Sequence, residues 1–420
     1  MLYIYNLLLY LILPLLPLRL WWKSRKNRDY RHRILERFAS FNFPALKSSI
    51  WVHAVSVGEA IAAAPLIRKL IETYPNEIIV VTTMTPTGAQ QIQKLFPQIL
   101  QLYVPYDYPF IVKRFLKHIK PKILLLMETE LWPNILYYSA QRKVPIILAN
   151  ARLSVKSFTQ YKKVAGFIRS VLNHINLVLA QSKIDAKRFL ALGLDSKKIV
   201  ITGNIKFDLK VPNNICQQAK QLRNIWHNRP TWVAASTHPG EEAKILAAAK
   251  IVQQTLPDSL LILVPRHLER FTTVFTLALD QGFNVTRYTE LQKYSPATNI
   301  VLGDVMGQLL LFYGASDVAF VGGSLITWGG HNLLEPAALA KPVLSGPNLS
   351  AFLKISQLLT AANALIIVAD EKTLAQNVIQ LFQNQQLREQ LGTAALDVVE
   401  QHRGATAKIL KHIQKFYEYS

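Results

Sequence analysis

Acidic residues follow two apolar runs in the first half of the chain, and each run has the length and composition of a buried strand. The segment WVHAVSVGEA at residues 51–60 carries Glu59 where a turn gives way to a helix, and METELWPN at residues 127–134 carries Glu128 and Glu130. Because parallel strands end at one edge of a sheet, we predict that the three carboxylates lie at the same rim. A carboxylate at such a rim is suited to take a proton from a hydroxyl group.

These carboxylates have two interpretations each. A general base needs a raised pKa, whereas the amino terminus of a helix lowers the pKa of a nearby carboxylate. Glu59 is therefore either a base or a helix-start residue stabilised by the helix dipole. Glu128 and Glu130 either position a ligand and raise one another's pKa, or form an acidic rim that binds nothing.

Polar groups of a different kind follow the strands of the second half. Ser236 and Thr237 precede a helix start, where hydroxyls and backbone N–H groups favour an anion. Arg266 closes the next strand and is suited to hold a carboxylate or phosphate through two hydrogen bonds. The glycine-rich stretch FVGGSLITWGGHN leads into a helix at about Asn332, with Glu335 one turn in and placed to accept ribose hydroxyls.

Other residues in these motifs keep a structural alternative. Lys206, in GNIKFD between the two halves, either reaches a phosphate or carboxylate or is a solvated linker lysine. Arg266 has an ion pair with Glu269 as its alternative. His238 is interpreted as structural, and the two Glu at 241–242 as first-turn residues favoured by the helix dipole. Since no second His or Cys lies near them, no metal site is predicted.

Composition narrows the class of protein. The chain has 420 residues, half of them hydrophobic, which suggests two globular domains. Its one cysteine, Cys216, excludes an internal disulfide and favours a reducing compartment. A net charge of +22 suits nucleic acid, an anionic membrane or an acidic substrate. No recognition-helix or RNP pattern is present, so nucleic acid is not a predicted partner.

Short apolar, β-rich runs alternate with helical stretches along most of the chain, which predicts an α/β fold with parallel sheets buried on both faces. The alternation breaks at about residues 203–214 and then restarts, so we predict a Rossmann-like domain over 23–205 and another over 214–385, facing each other across a cleft. Residues 386–420 are predicted to be helical and to pack back toward the first domain. One large α/β domain is the alternative. The predicted strands are 50–55, 78–83, 100–104, 123–127, 144–149, 177–180, 199–202, 232–235, 260–264, 285–286, 300–302, 318–321, 342–344 and 365–368.

The first 22 residues, MLYIYNLLLYLILPLLPLRLWW, are predicted to be a membrane anchor. A basic stretch follows from Lys23 to Arg37, which is opposite to the charge order of a secretory signal and leaves the rest of the chain in the cytoplasm. Pro14 and Pro17 would kink a spanning helix, and Arg19 would have to snorkel. The segment therefore spans the bilayer, lies in its interface or is a core helix, and in either membrane case the basic stretch holds anionic headgroups.

Taken together and in this order, the WVHAVSVGE, METELWPN, GNIKFD and GGHN-x-LEP segments resemble the 3-deoxy-D-manno-octulosonic acid (Kdo) transferases of lipopolysaccharide synthesis. The resemblance implies a GT-B fold with an amino-terminal membrane anchor, at the cytoplasmic face of the cell inner membrane. It implies transfer of Kdo from CMP-Kdo to the tetraacyl lipid A precursor, with inversion and without a metal or other cofactor. The implied partners are CMP-Kdo, the lipid A precursor and the anionic leaflet.

The same resemblance assigns roles to residues. It implies that Glu59 is the general base and that Glu128 and Glu130 place the acceptor. The implied donor contacts are Lys206, Ser236, Thr237, Arg266, the Gly303–Met306 turn, Asn332 and Glu335.

The sequence departs from the family's pattern at Leu268, Leu333 and the LSAFLKIS segment after GPN, which affects details of donor binding. Two other classes of protein remain as alternatives. One keeps the fold and is a nucleotide-sugar epimerase or soluble hexosyltransferase. The other is a membrane-bound protein that binds anionic polymers without catalysis.

Overall fold

The structure is a computed structural model that describes residues 1–26 and 28–418, apart from the side chains of residues 17, 19, 20, 23 and 26. Pro17 and Arg19, which entered the anchor prediction, therefore have side chains outside the described part. The chain divides into two compact units. The first comprises Met1–Asp208 and the chain from Arg403 onward, and the second comprises Leu209–His402.

The first unit is built on a parallel sheet of seven strands in the order β3-β2-β1-β4-β5-β6-β7. Alternate residues of the central strand face opposite sides of this sheet: Trp51 packs into one apolar cluster, while Ile50 and Val52 pack into the other. Both faces are therefore buried, as the continuous apolar runs predict. The strands are β1 Ser49–His53, β2 Ile79–Thr83, β3 Leu100–Tyr103, β4 Pro121–Met127, β5 Ile146–Ala151, β6 Leu177–Ala180 and β7 Ile199–Ile201.

Helices cover both faces of this sheet, and several begin at a side-chain cap. Ser56, Thr85 and Ser182 each accept a hydrogen bond from the backbone N–H three residues later, which satisfies a donor that the first helical turn leaves unpaired. The helices are α1 Leu2–Ile12, α2 Leu16–Lys26, α3 Val57–Thr73, α4 Pro86–Leu95, α5 Pro109–Ile119, α6 Pro133–Gln141, α7 Val155–Lys162, α8 Ala165–Leu172 and α9 Lys183–Ala191.

The second unit repeats the architecture with another parallel sheet of seven strands, in the order β10-β11-β9-β8-β12-β13-β14. The strands are β8 Thr231–Thr237, β9 Leu260–Pro265, β10 Val285–Arg287, β11 Ile300–Leu302, β12 Val318–Val321, β13 Val343–Ser345 and β14 Leu365–Ile367. Its helices are α10 Ile215–Ile225, α11 Glu241–Thr255, α12 Phe271–Asp280, α13 Leu309–Gly314, α14 Leu334–Ala337, α15 Leu353–Ala361, α16 Glu371–Gln383 and α17 Gln385–Gln401. Every run predicted to be a strand is a strand, which confirms the α/β class with two parallel sheets.

The helical segment predicted over residues 386–420 is divided between the units. Helix α17 belongs to the second unit, and the chain enters the first unit at Arg403 to form α18, Ala405–Tyr417. Ile409 and Ile413 of α18 lie in the same apolar cluster as α3. Asp208 fixes the start of α18, because its carboxylate accepts hydrogen bonds from the backbone N–H groups of Gly404 and Thr406 at 2.6 and 2.5 Å.

The amino-terminal segment is not the single anchor helix that its composition predicts. A 3-10 turn over Leu13–Leu15 separates α1 from α2, and Pro14 is the second residue of this turn. Proline has no N–H to donate and clashes with the preceding turn, so it interrupts an α-helix here. No helix within the described residues is both long enough and apolar enough to cross a membrane.

Helix α1 turns its polar side chains toward the protein. The Tyr5 hydroxyl donates to the Asp107 carboxylate at 2.9 Å, and the Asn134 amide donates to the Asn6 amide oxygen at 2.7 Å. On the opposite side, Leu7 and Leu11 are 61% and 67% exposed. Leu9 packs against the core on the inner side, so α1 has apolar side chains both toward the protein and toward the outside.

Helix α17 approaches the backbone of the second unit closely at Gly392. A Cβ at this position would collide with the carbonyl oxygen of Ala340. Gly392→Ala should therefore destabilise the protein by about 1–3 kcal/mol, because the helix must shift away from its neighbour. The measurement is the melting temperature and the free energy of unfolding in guanidinium chloride.

Gly166→Ala is the matched control, since Gly166 also lies inside a helix but a Cβ there meets only the Met1 side chain at 3.7 Å. Alanine favours helix over glycine, so this variant should unfold at the same temperature or slightly higher. Equal destabilisation by both variants would contradict the close approach at Gly392.

Candidate functional site

Glu59 lies in the first turn of α3, directly after the carboxyl end of β1. Its carboxylate accepts hydrogen bonds from the Val55 N–H at 2.8 Å and from the Ser56 hydroxyl at 3.0 Å. The Ser56 oxygen in turn accepts from the Glu59 N–H at 3.2 Å, which caps the start of α3. The side chain is therefore held in one orientation at the rim of the sheet, and it is only partly buried.

The environment of Glu59 favours its protonated form despite these contacts. Burial is the largest influence and, together with the negative charges of Glu130 and Glu128, raises the pKa of Glu59 to about 7. The hydrogen bonds from Val55 and Ser56 act in the opposite direction and do not overcome burial. A carboxylate with a pKa near neutrality is suited to accept a proton and release it again.

Glu128 is the residue directly after β4, and it adopts a left-handed backbone with φ +56°. Its N–H donates to the Ala149 carbonyl at 3.0 Å, so the strand pairing ends at this residue. Non-glycine residues rarely take this conformation, and surrounding structure must hold them in it. The turn places Glu128 and Glu130 beside Glu59, since both of their charges act on its pKa.

Glu130 is held by Trp132, whose role the sequence analysis did not identify. The Trp132 indole N–H donates to the Glu130 carboxylate at 2.8 Å, and the indole packs edge-on against His53 with ring centroids 5.8 Å apart. Burial raises the pKa of Glu130, the Trp132 hydrogen bond opposes this, and Glu128 reinforces it. A tryptophan inside an otherwise polar rim motif was the sequence signal for this contact.

Lys206 lies on a 3-10 turn, Ile205–Asp208, in the first unit. The turn is anchored by buried Asn150, whose side-chain oxygen accepts from the Ile205 N–H at 3.1 Å. Asn150 lies within β5, where the pairing with β6 shifts register between Leu148 and Ala151, and it has φ +53°. The lysine is thus carried by a fixed turn at the carboxyl end of the sheet rather than by a loose linker.

In the second unit the chain leaves β8 through a distorted turn. Ser236 has φ +58°, and the pairing of β8 with β9 shifts register between Ala235 and Thr237. Thr237 is fully buried, and its hydroxyl points to the Glu242 carboxylate at 3.5 Å. Ser236 retains 8% exposure, so of the two predicted donor contacts only Ser236 reaches the surface.

The first glycine turn, after β12, does not present free N–H groups to a ligand. The Glu241 carboxylate accepts from the N–H groups of Gly323, Ser324 and Leu325 at 2.7, 3.0 and 3.0 Å. Glu241 is fully buried and is therefore more than the helix-dipole residue that its position predicts. An internal carboxylate occupies the nest of backbone donors that an external anion would use.

The second glycine pair leads to a very short helix, α14, that begins two residues after Asn332. The Asn332 amide donates to the Glu335 carboxylate at 3.0 Å and its oxygen accepts from the Leu334 N–H at 3.2 Å. Burial raises the pKa of Glu335, and the Asn332 hydrogen bond and the Arg266 charge lower it. Asn332 therefore contacts Glu335 directly, and Arg266 lies near enough for its charge to act on the same carboxylate.

Arg266 is exposed at the end of β9. Among the described residues its guanidinium makes no ion pair with Glu269 or any other carboxylate. Gly303, after β11, lies where a Cβ would come within 2.9 Å of the Phe312 ring and the Val264 methyl. The turn that follows Gly303 extends to Met306, whose side chain is 47% exposed.

His238, which the sequence analysis interpreted as structural, forms a pair with His331, whose role the sequence analysis did not identify. The imidazoles of His238 and His331 approach to 2.7 Å between their Nε2 atoms, and Trp328 stacks on His238 with ring centroids 4.2 Å apart. In the part of the chain described, no group of three or more His, Cys, Asp or Glu side chains is arranged to hold a metal ion.

Comparison with known proteins places the chain in a family. Residues 32–209 match the family model described as 3-Deoxy-D-manno-octulosonic-acid transferase (kdotransferase). The chain is 38% identical to the 3-deoxy-D-manno-octulosonic acid transferase of Haemophilus influenzae, covering 99% of each chain. It is 32% identical to the Bordetella pertussis enzyme of the same name, covering 98% of each.

A solved structure supports the architecture. The UDP-GlcNAc 2-epimerase from Neisseria meningitidis superposes with a TM-score of 0.59 at 17% identity, over 88% of this chain and all of that one. At this identity the likeness concerns the fold alone, which is GT-B-like with a parallel α/β sheet in each unit. The full-length relatives and the family model together show that the chain belongs to the Kdo transferase family of glycosyltransferases.

Proposed function

We propose that this enzyme transfers Kdo from CMP-Kdo to the tetraacyl lipid A precursor, with Glu59 as the general base and inversion at the anomeric carbon. The observation that carries the proposal is the carboxylate of Glu59, fixed at the end of β1 with a pKa raised to about 7. Family membership supports Kdo as the group transferred.

In this mechanism the ionised Glu59 takes the proton of the acceptor hydroxyl as its oxygen attacks the anomeric carbon of Kdo. The bond from that carbon to the phosphate oxygen breaks, and CMP leaves with the bonding electrons. Glu128 and Glu130 position the acceptor, and their charges keep the pKa of Glu59 high enough for it to hold the proton. The rigid contacts of Val55 and Ser56 orient the carboxylate.

For the donor, we propose contacts from Lys206, Ser236, Arg266, Asn332, Glu335 and the Gly303–Met306 turn. We propose that the buried Thr237 supports this site without direct contact with solvent. Arg266 supports this assignment because it is exposed and has no carboxylate partner among the described residues. A guanidinium in that state is suited to bind the phosphate or the sugar carboxylate and to stabilise charge that develops on the leaving group.

We also propose that the protein works at the cytoplasmic face of the inner membrane, with α1 and α2 lying in the interface of the anionic leaflet. The outward leucines of α1 and the exposed Trp21 and Trp22 of α2 support this placement. Arg25 stacks over the Trp21 ring at 4.3 Å, which sets a cation beside an interfacial aromatic. A net charge of +22 favours the same leaflet and the phosphorylated acceptor.

The reaction and the base are tested together by a product assay. Purified protein is incubated with CMP-Kdo and the tetraacyl lipid A precursor, and products are read by mass spectrometry. Wild-type protein should add Kdo, and Glu59→Gln should lower kcat by about 10²–10⁴-fold because the amide cannot accept a proton.

Glu72→Gln is the matched control for this assay. It makes the same substitution on the same helix at an exposed residue that forms an ion pair with Lys69, and it should leave kcat unchanged. Full activity of Glu59→Gln would remove Glu59 from the role of base. No product with wild-type protein, where a known family member succeeds, would contradict the donor and acceptor.

The raised pKa of Glu59 predicts a pH dependence. The base must be ionised, so kcat/KM should rise with pH and level off above about 7. Glu130→Gln removes a negative charge that favours the protonated form, so the pKa of Glu59 falls and the rise should move about one pH unit lower. A rise in kcat/KM at the same pH in both proteins would show that Glu130 does not act on the base.

Membrane association is tested by flotation with vesicles that contain phosphatidylglycerol. Replacing Leu7 and Leu11 together by Ser should weaken vesicle binding about tenfold or more, because the two outward side chains lose their contact with the acyl region. Replacing Val155 and Ile184 together by Ser is the control, since these side chains are 64% and 57% exposed in the same unit but lie outside α1. Equal binding by both double variants would contradict the role of α1.

A further inference from the structure

The His238 and His331 rings form a closely coupled pair in the second unit. They are parallel to within 6°, their centroids are 5.0 Å apart, and their Nε2 atoms are 2.7 Å apart. Two nitrogens at this separation must share a hydrogen bond, so one Nε2 carries a proton and the other accepts it. The pair is therefore a single proton-holding unit.

This geometry limits the number of protons that the pair can hold. With two protons it is neutral, and a third can bind the free Nδ1 of the donating ring without breaking the shared hydrogen bond. A fourth would set two N–H groups against each other at 2.7 Å. The pair can therefore gain one positive charge but not two.

The surroundings keep the pair neutral while no anion is bound. Burial lowers the pKa values of His238 and His331 to about 4, and the neighbouring His267 and Arg266 act in the same direction. His238 is 1% exposed, and its Nδ1 has no hydrogen-bond partner among the described residues. A buried imidazole with an unused nitrogen, beside two cationic or potentially cationic groups, is suited to an incoming anion.

The position of the pair in the sequence indicates which anion it binds. His238 directly follows Ser236 and Thr237 at the end of β8, and His331 directly precedes Asn332. We propose that the pair is a phosphate subsite that takes up one proton when the phosphate of the nucleotide donor binds. This inference rests on the proposed donor, and it adds to that site two histidines and a protonation step.

The proton has a consequence for the reaction. In the donor the phosphate is a diester with one negative charge. When its bond to the anomeric carbon breaks, the electron pair stays on the phosphate oxygen and a second negative charge develops there. The proton held by the pair offsets this charge, and it can pass to that oxygen so that CMP leaves as a monoanion. His238 and His331 then return to the neutral state.

The test is calorimetric titration of wild-type protein with CMP at pH 7.5, in two buffers that differ in ionisation enthalpy. At this pH free CMP is mainly a dianion, because the second pKa of a phosphate monoester is about 6, so the ligand brings almost no proton of its own. The difference in measured heat gives the net protons taken up per CMP bound, and we expect a net uptake for CMP and none for cytidine, which lacks the phosphate. His238→Gln and His331→Gln should abolish the uptake and weaken CMP binding roughly tenfold.

His412→Gln is the control, since His412 lies on α18 in the first unit and should leave uptake and affinity unchanged. Melting temperatures verify that the variants are folded. NMR titration of the histidines in wild-type protein avoids variants altogether, and it should show CMP raising the pKa of the pair from about 4 toward neutrality.

Binding of CMP without proton uptake would overturn the proposal, as would uptake that persists in both histidine variants, because the proton would then reside elsewhere. Failure of wild-type protein to bind CMP would instead contradict the donor assignment. That outcome is distinguished from failure of the histidine pair by the absence of any binding heat.

Discussion

A parallel sheet buried on both faces gives polar side chains one place to act, the edge where its strands end. Both units of this enzyme obey that constraint, because the central strands of each sheet are almost entirely buried. Left-handed residues such as Glu128 and Ser236 then turn the backbone away from the strands. The candidate residues follow strands in both units because the fold leaves them no other position.

The two units use buried carboxylates in opposite ways. Glu59 is partly exposed, and burial together with neighbouring charges raises its pKa to about 7, which suits a group that must gain and lose a proton. Glu241 is fully buried and accepts three backbone hydrogen bonds from the turn after β12. It therefore stabilises the glycine turn from inside, and the proposed donor site relies on side chains such as Arg266 because those N–H groups already have a partner.

The amino-terminal helix α1 separates polar contacts with the protein from an apolar outer surface. Tyr5 and Asn6 are held by Asp107 and Asn134, so the polar side of α1 is satisfied by the protein itself. What remains outside is apolar, and water is a poor solvent for it. The proposed membrane interface and the lipid acceptor account for that surface without requiring a helix that crosses the bilayer.

The sequence by itself determined the strands, the rim at which each motif lies and the family. These depend on local pattern, since a buried strand needs a continuous apolar run and the S-x-x-E start of α3 needs only Ser56 and Glu59. It also placed Asn332 and Glu335 together, because residues three positions apart at the start of a helix are neighbours.

Only the tertiary structure decided the contacts between distant segments. Glu241 and Gly323 are 82 positions apart, and His238 and His331 are 93 apart, so no local pattern could pair them. The pKa of Glu59 likewise depends on burial and on charges from a different strand end. The inward polar face of α1 depends on packing against α6, which hydropathy alone could not predict. Composition states which side chains are present, but only the folded chain sets the distances and desolvation that decide their chemistry.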